Sequence, residues 1–169
     1  MKLFYHYTSE RVAKMIKSGS DIVPLSNVCI PDLPNLEWFV HIPYWARNKK
    51  YIYSLLNPVP NGWEETGQLE RLFGYISSDR IALLRFNLPE HDLRSTYVLE
   101  GDFANSIDRF NREIRKGRLP TEDLYEKFRD YLDSKVQLSA YGYNYRLPEA
   151  IIPKKISNKR ISIIEIFNS

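Results

Sequence analysis

Cysteine is nearly absent. Cys29 is the sole one in 169 residues, which excludes an intramolecular disulfide and fits a reducing compartment. It lies in a proline-rich stretch with nothing nearby to activate a thiolate, so a thiol nucleophile is disfavoured. Glycine is sparse too. Seven residues are scattered without a phosphate-cradling loop, which leaves neither a P-loop nor a dinucleotide fingerprint. The three histidines, His6, His41 and His91, show no short paired spacing to one another or to Cys29, so no metal is expected. No apolar run approaches the length of a membrane-spanning helix, and the N-terminus carries neither a signal-peptide core nor a cleavage-like site. The expectation is a soluble, cytoplasmic protein with no membrane contact.

What is abundant is tyrosine, with twelve residues against eight phenylalanines and three tryptophans. Tyrosine pairs an apolar ring with a polar handle and suits a wet cleft as well as a core. The net charge of +3 permits a nucleic-acid partner without demanding one. The length is that of one domain with one core, and no repeat, low-complexity tract or linker divides residues 1–169.

Residues 3–7 read as a first strand. Thr8 or Ser9 caps a helix over about 9–18, with Val12, Met15 and Ile16 at helical spacing and Gly19 as its stop. Prolines 24, 31 and 34 make 20–36 a loop with a short strand at Ile22–Leu25. Glu37–His41 reads as a second strand. The segment from Pro43 through Tyr53, with rings interleaved among Arg47, Lys49 and Lys50, reads as a helix. A short helix is expected around Glu64–Phe73, and Arg80–Phe86 reads as a central strand.

Phe103, Ile107, Phe110 and Ile114 mark a helix over about 102–116. Leu124, Phe128, Tyr131 and Leu132 mark a second one, capped by Thr121. The two pair as a hairpin, and both stripes read as core. Tyr141, Tyr143 and Tyr145 alternate within an expected strand at Gln137–Tyr145. Leu147–Pro153 and Ile161–Phe167 close the chain as strands. The pattern is α+β with a largely antiparallel or mixed sheet.

Two residues stand out chemically. His6 lies between two tyrosines at the end of the first strand. Glu149 opens an otherwise apolar strand, Ala150-Ile151-Ile152. Each reads first as a structural or outward-facing residue. The alternative for Glu149 is a carboxylate that accepts from a ribose hydroxyl or stabilises an oxocarbenium-like centre.

Three short motifs in order resemble the ADP-ribosyltransferase fold. Tyr5-His6-Tyr7-Thr8-Ser9 followed by a helix to Gly19 resembles its opening. Trp38-Phe39-Val40-His41 through Tyr51 resembles its second motif, and Tyr44-Trp45-Ala46-Arg47 is similar to an aromatic–arginine segment of DarT-like toxins that modify DNA. Pro148-Glu149-Ala150-Ile151-Ile152-Pro153 resembles the closing motif, in which a catalytic Glu opens a strand.

The resemblance implies a split mixed or antiparallel sheet with a helical insertion at about 102–134, and NAD as substrate. His6 would hold the adenosine-side ribose, with Thr8 in the same motif. The Tyr7 backbone would hold the nicotinamide carboxamide, and Arg47 would contact NAD and assist transfer. Tyr51 or Tyr44 would stack on nicotinamide, and Glu149 would bind the ribose 2′-hydroxyl. It further implies transfer to a base of single-stranded DNA or RNA, in a toxin–antitoxin or phage-defence setting with an inhibitor protein as partner.

The chain departs from the arginine-modifying class. It lacks a Ser-Thr-Ser pattern, and position 147 is Leu where that class has a second carboxylate. An RNA 2′-phosphotransferase is disfavoured because no matching set of arginines is present. The remaining alternative is a non-catalytic nucleic-acid- or protein-binding module on the same fold.

Overall fold

The computed structural model describes residues 2–28, 42–59, 76 and 80–168. The strand and helix expected at 37–41 and 64–73, together with Cys29, Trp38 and His41, lie outside them.

In chain order the elements are β1 (Leu3–Ser9), α1 (Glu10–Lys17), α2 (Tyr44–Asn48), β2 (Ile52–Leu55), β3 (Arg80–Asn87), α3 (Glu90–Leu93), β4 (Tyr97–Glu100), α4 (Ala104–Arg115), α5 (Glu122–Asp133), β5 (Val136–Gln137), β6 (Pro148–Ile152) and β7 (Ile161–Asn168). The seven strands form one sheet in the order β5-β4-β6-β2-β1-β3-β7, and every pairing is antiparallel. The architecture is α+β as expected, but the sheet is continuous where a split one was expected. The join is slight: β1 meets β2 in a single ladder pair, Tyr5↔Leu55, whereas β1 and β3 pair over seven positions. Arg80–Phe86 is a strand, but among the described strands it is second from the edge, because β7 lies outside it.

Opposed residues of an antiparallel pair share a face, so the register sorts the side chains. Leu99 and Ile151 point to one face, where the α4–α5 hairpin covers them with Ile107, Phe110, Phe128 and Tyr131. Phe110 and Phe128 stack with ring centroids 4.1 Å apart. Phe4, Phe86, Val98, Ala150 and Ile152 point to the other face and pack against Leu138, Tyr141 and Ile156. On that same face, Ala13 and Ile16 of α1 cover Ala82 and Leu84.

The helix ends follow local chemistry. Ser9 accepts from the Val12 N–H, and Gly19 takes φ +113°, a backbone open to glycine, so α1 stops there. The buried stripe of α1 is Ala13 and Ile16, while Val12 and Met15 are exposed. The expected stripe is therefore rotated by about one position, since the sheet surface at Ala82 admits a small residue. Thr121 caps α5 through the Leu124 N–H, as expected.

Three further expectations are corrected. Ile22–Leu25 makes an isolated bridge, Ile22↔Ile156, because Pro24 interrupts any ladder. The helix from Pro43 ends at Asn48. Tyr51-Ile52-Tyr53 turns extended because a β-branched residue between two rings gains more from pairing with β6 than from a helix with no buried stripe. Gln137–Tyr145 is a short strand followed by a 3₁₀ turn and loop, not one strand. Tyr143 there takes φ 60°, yet the three rings still cluster, with Tyr141 5.2 Å from Tyr143 and 5.1 Å from Tyr145. β4 was not foreseen: its four residues are too short for periodicity to register.

β7, the outermost of the described strands on its side, carries a bulge. Leu83 pairs with Glu165 and Leu84 with Ile163, which leaves Ile164 as an extra residue.

The approach to β6 is stapled to the end of β4. Glu100 accepts from the Leu147 N–H at 2.9 Å, the Arg146 N–H at 2.8 Å and the Asp102 N–H at 3.3 Å. Gly101 donates to the Leu147 carbonyl at 2.7 Å, and a Cβ at Gly101 would lie 2.9 Å from that oxygen. Gly101→Ala is therefore expected to cost about 1–3 kcal/mol through overpacking against backbone, measured by urea unfolding. An unchanged midpoint would show that this crossing has slack.

Candidate active site

β6 begins at Pro148, whose missing N–H is tolerated at a strand's first position. Glu149 follows, opposite Leu55 of β2 and Leu99 of β4, and so points to the face under the helical hairpin. The Tyr131 hydroxyl, delivered by α5, donates to Glu149 Oε2 at 2.8 Å. Around this pair is a cavity of about 200 Å³, with polar walls from Asn27, Asn111 and Tyr53 and apolar ones from Val28 and Ile107. Asn27 Nδ2 is spoken for: it donates to the carbonyls of Arg47 and Lys49 at 2.7 and 3.2 Å, fixing the end of α2 beside the cavity.

Burial pushes the Glu149 carboxyl up to about 7, against the opposing pull of the Tyr131 hydrogen bond. Burial, then the adjoining carboxylate, raise the Tyr131 phenol well above its ordinary value, so it remains a donor. The carboxyl thus titrates in the physiological range, between a proton-bearing and an anionic form.

His6 sits at the weak join of the sheet. In a continued ladder Tyr7 would stand opposite Tyr53. The Tyr53 carbonyl instead meets His6 Nδ1 at 2.7 Å. A carbonyl only accepts, so Nδ1 carries the proton and the neutral ring presents Nε2 as an acceptor. Burial lowers the His6 pKa, and the Tyr53 carbonyl opposes this by raising it.

The expected site residues are thus only partly brought together. His6 stands opposite Leu84, on the face that α1 covers, while Glu149 points to the hairpin face. Tyr53 links them: its carbonyl holds His6 and its ring lines the Glu149 cavity. Arg47 is half-buried on α2 and reaches the cavity wall through its backbone, via Asn27. Tyr7 is buried and donates its hydroxyl to the Pro58 carbonyl at 2.8 Å, and Thr8 lies opposite Ala82.

Neither expected stacking ring lines the cavity. Tyr51 is a core residue, 3% exposed, whose hydroxyl donates to the Trp45 carbonyl and is pushed up to about 12 by burial. Tyr44 is an exposed surface ring. The ring at the cavity is Tyr53: it shares the hairpin face with Tyr51, two positions away, but stands opposite Ile151, one step along that face from the Leu55–Glu149 pair. Tyr53, Tyr131, Asn27 and Asn111 were not foreseen. The one available signal was Tyr131, a hydroxyl on the otherwise apolar stripe Leu124, Phe128, Leu132.

Among the described residues no group of three or more His, Cys, Asp or Glu is placed to hold a metal, and no helix is long and apolar enough to cross a membrane. Compared with known proteins, the chain matches no family model, no curated protein and no solved structure.

The raised carboxyl has a stability consequence. A group whose folded pKa lies above its unfolded value contributes stability that is full below about 4.5 and lost as pH rises through about 7. Glu149→Gln is therefore expected to gain on the wild type between pH 5 and pH 8, by roughly 1–3 kcal/mol. Urea unfolding at both pH values measures this, and a difference independent of pH would contradict it.

Proposed function

We propose that this chain transfers ADP-ribose from NAD to a macromolecular acceptor, with Glu149 as the catalytic carboxylate. The observation that carries the reading is the geometry of Glu149. It opens a strand inside a polar cavity, with one oxygen held by Tyr131 and the other without a hydrogen bond among the described residues. Ionised, it accepts from the 2′-hydroxyl of the nicotinamide ribose and stabilises the positive charge that develops at C1′ as nicotinamide leaves. The acceptor then attacks C1′.

In this reading His6 offers Nε2 to a ribose hydroxyl. Arg47 serves the pyrophosphate, a role that suits a guanidinium. The cavity suits a ribose with part of its substituents, so the rest of the dinucleotide lies outside it.

A nucleic-acid base fits as acceptor better than a protein side chain. Lys135 lies 3.8 Å from the Tyr97 ring centroid and 4.5 Å from that of Trp45, close enough to Lys49 for the two charges to repel. Neither lysine has an acidic partner among the described residues. By contrast, two cations around the C-terminal turn are engaged, Lys155 with Asp21 and Arg160 with Asn87. Unneutralised cations beside rings suit single-stranded nucleic acid.

One observation favours a non-catalytic binding module instead. The hairpin lays Tyr131 directly on Glu149, and about 200 Å³ is below the range usual for small-molecule sites.

The test is incubation with NAD labelled on the adenylate, plus single-stranded DNA, RNA or cell lysate. Transfer of label is expected, reduced about 10²-fold or more in Glu149→Ala. No transfer, no NAD hydrolysis and no calorimetric NAD binding would remove the enzymatic reading. The binding module predicts that Glu149→Ala leaves nucleic-acid affinity intact. Lys49→Ala and Lys135→Ala would weaken it across sequences, each reducing the salt slope by about 1.

A further inference from the structure

Tyr131 belongs to the helical hairpin, yet its contacts are those of the Glu149 site. A phenylalanine would serve the packing, since its neighbours on the buried stripe of α5 are Leu124, Phe128 and Leu132. The hydroxyl serves Glu149, and it is the hydrogen bond that this carboxyl makes within the described residues.

The same end of α5 also fixes the backbone from which Glu149 springs. Ser134 Oγ donates to the Tyr131 carbonyl at 2.6 Å and accepts from the Glu100 N–H at 2.9 Å. The Glu100 carboxylate in turn holds the N–H groups of Arg146 and Leu147, just ahead of Pro148-Glu149. The Tyr145 hydroxyl closes onto the Ser134 carbonyl. The contacts form a circuit, from Glu149 through Tyr131, Ser134 and Glu100 to Leu147 and back along the chain. Both the carboxyl and the main chain of Glu149 are referenced to one turn of one helix.

We propose that Tyr131 is the positioning residue of Glu149: its hydroxyl holds Oε2 and leaves Oε1 to the cavity, which makes the α4–α5 hairpin a part of the site. The catalytic use of that arrangement rests on the transferase reading; the hold of Tyr131 on the carboxyl does not. Among the described residues, Tyr53 from β2 and Tyr131 from α5 are the titratable groups that face Glu149 at the cavity wall, and Asn27 and Asn111 are neutral. A hydrogen bond donated to a carboxylate favours the ionised form, so its loss moves the carboxyl toward higher pH.

The experiment follows the ¹³Cδ signal of Glu149 by NMR through a pH titration of wild type, Tyr131→Phe and Tyr125→Phe. Tyr125→Phe removes another hydroxyl from the same helix and serves as the control. Glu149→Gln assigns the signal, and each variant's thermal transition checks folding. Tyr131→Phe is expected to raise the inflection by about one pH unit, with Tyr125→Phe unchanged. The acid limb of NAD turnover should rise with it. An inflection that stays in place in Tyr131→Phe, or moves equally in Tyr125→Phe, overturns the proposal. An inflection that moves while NAD is untouched at every pH upholds the role of Tyr131 and overturns the transferase reading.

Discussion

The join between β1 and β2 is the constraint on which the rest depends. To one side, β1, β3 and β7 are laddered over long registers; to the other, β2, β6 and β4 are laddered over four positions each. Between them stand one ladder pair and the ring of His6 on the Tyr53 carbonyl. A side chain there replaces main-chain pairing, at a net strength of about 0.5–1.5 kcal/mol. Because the ring is buried, charging it is disfavoured, and its neutral tautomer follows from the carbonyl it must donate to. The two ladders thus meet along this line with little main-chain pairing, and the buried cluster of Phe4 and Phe86 with Ile52 and Ile152 spans it.

Glu149 lies on the hairpin side of that line, where stability and chemistry oppose one another. A leucine at the start of β6 would extend the apolar face made by Leu99 and Ile151, at no electrostatic cost. The carboxyl costs desolvation, and the Tyr131 hydroxyl offsets only part of it. Such locally unfavourable choices concentrate where a fold serves a reaction. The hairpin that shields the carboxyl from water also raises its proton affinity, so one packing event sets access and charge together.

Much of the fold was legible because its signals are local. The apolar strand at Ala150-Ile151-Ile152, the capped stripe of α5 and the glycine stop of α1 each lie within one element. What was not legible depends on partners far along the chain. Tyr51 and Tyr53 share a face, and which of them stands beside Glu149 turns on the register of β2 against β6, a hundred residues later. β4 is defined by its neighbours, not its own pattern. Glu149 was legible as an anomaly in an apolar strand; its bond to Tyr131 was not, because a tyrosine on a core stripe looks like packing until the sheet beneath it is known. His6 was legible as a candidate, but alternation sends its ring to the face opposite Glu149.

The extra residue in β7 has a consequence for how this molecule meets its own copies. Among the described strands β7 is outermost, and Ile164 and Ile166 are both substantially exposed on it, an edge that invites a foreign strand. A strand laid in phase with Ile161–Ile163 arrives one residue out of phase at Glu165–Phe167, with its apolar side turned outward. No straight neighbour satisfies both stretches. The edge therefore offers two short, mismatched landing places in place of one long one, which restrains end-to-end growth of sheets while leaving both isoleucines free to face solvent.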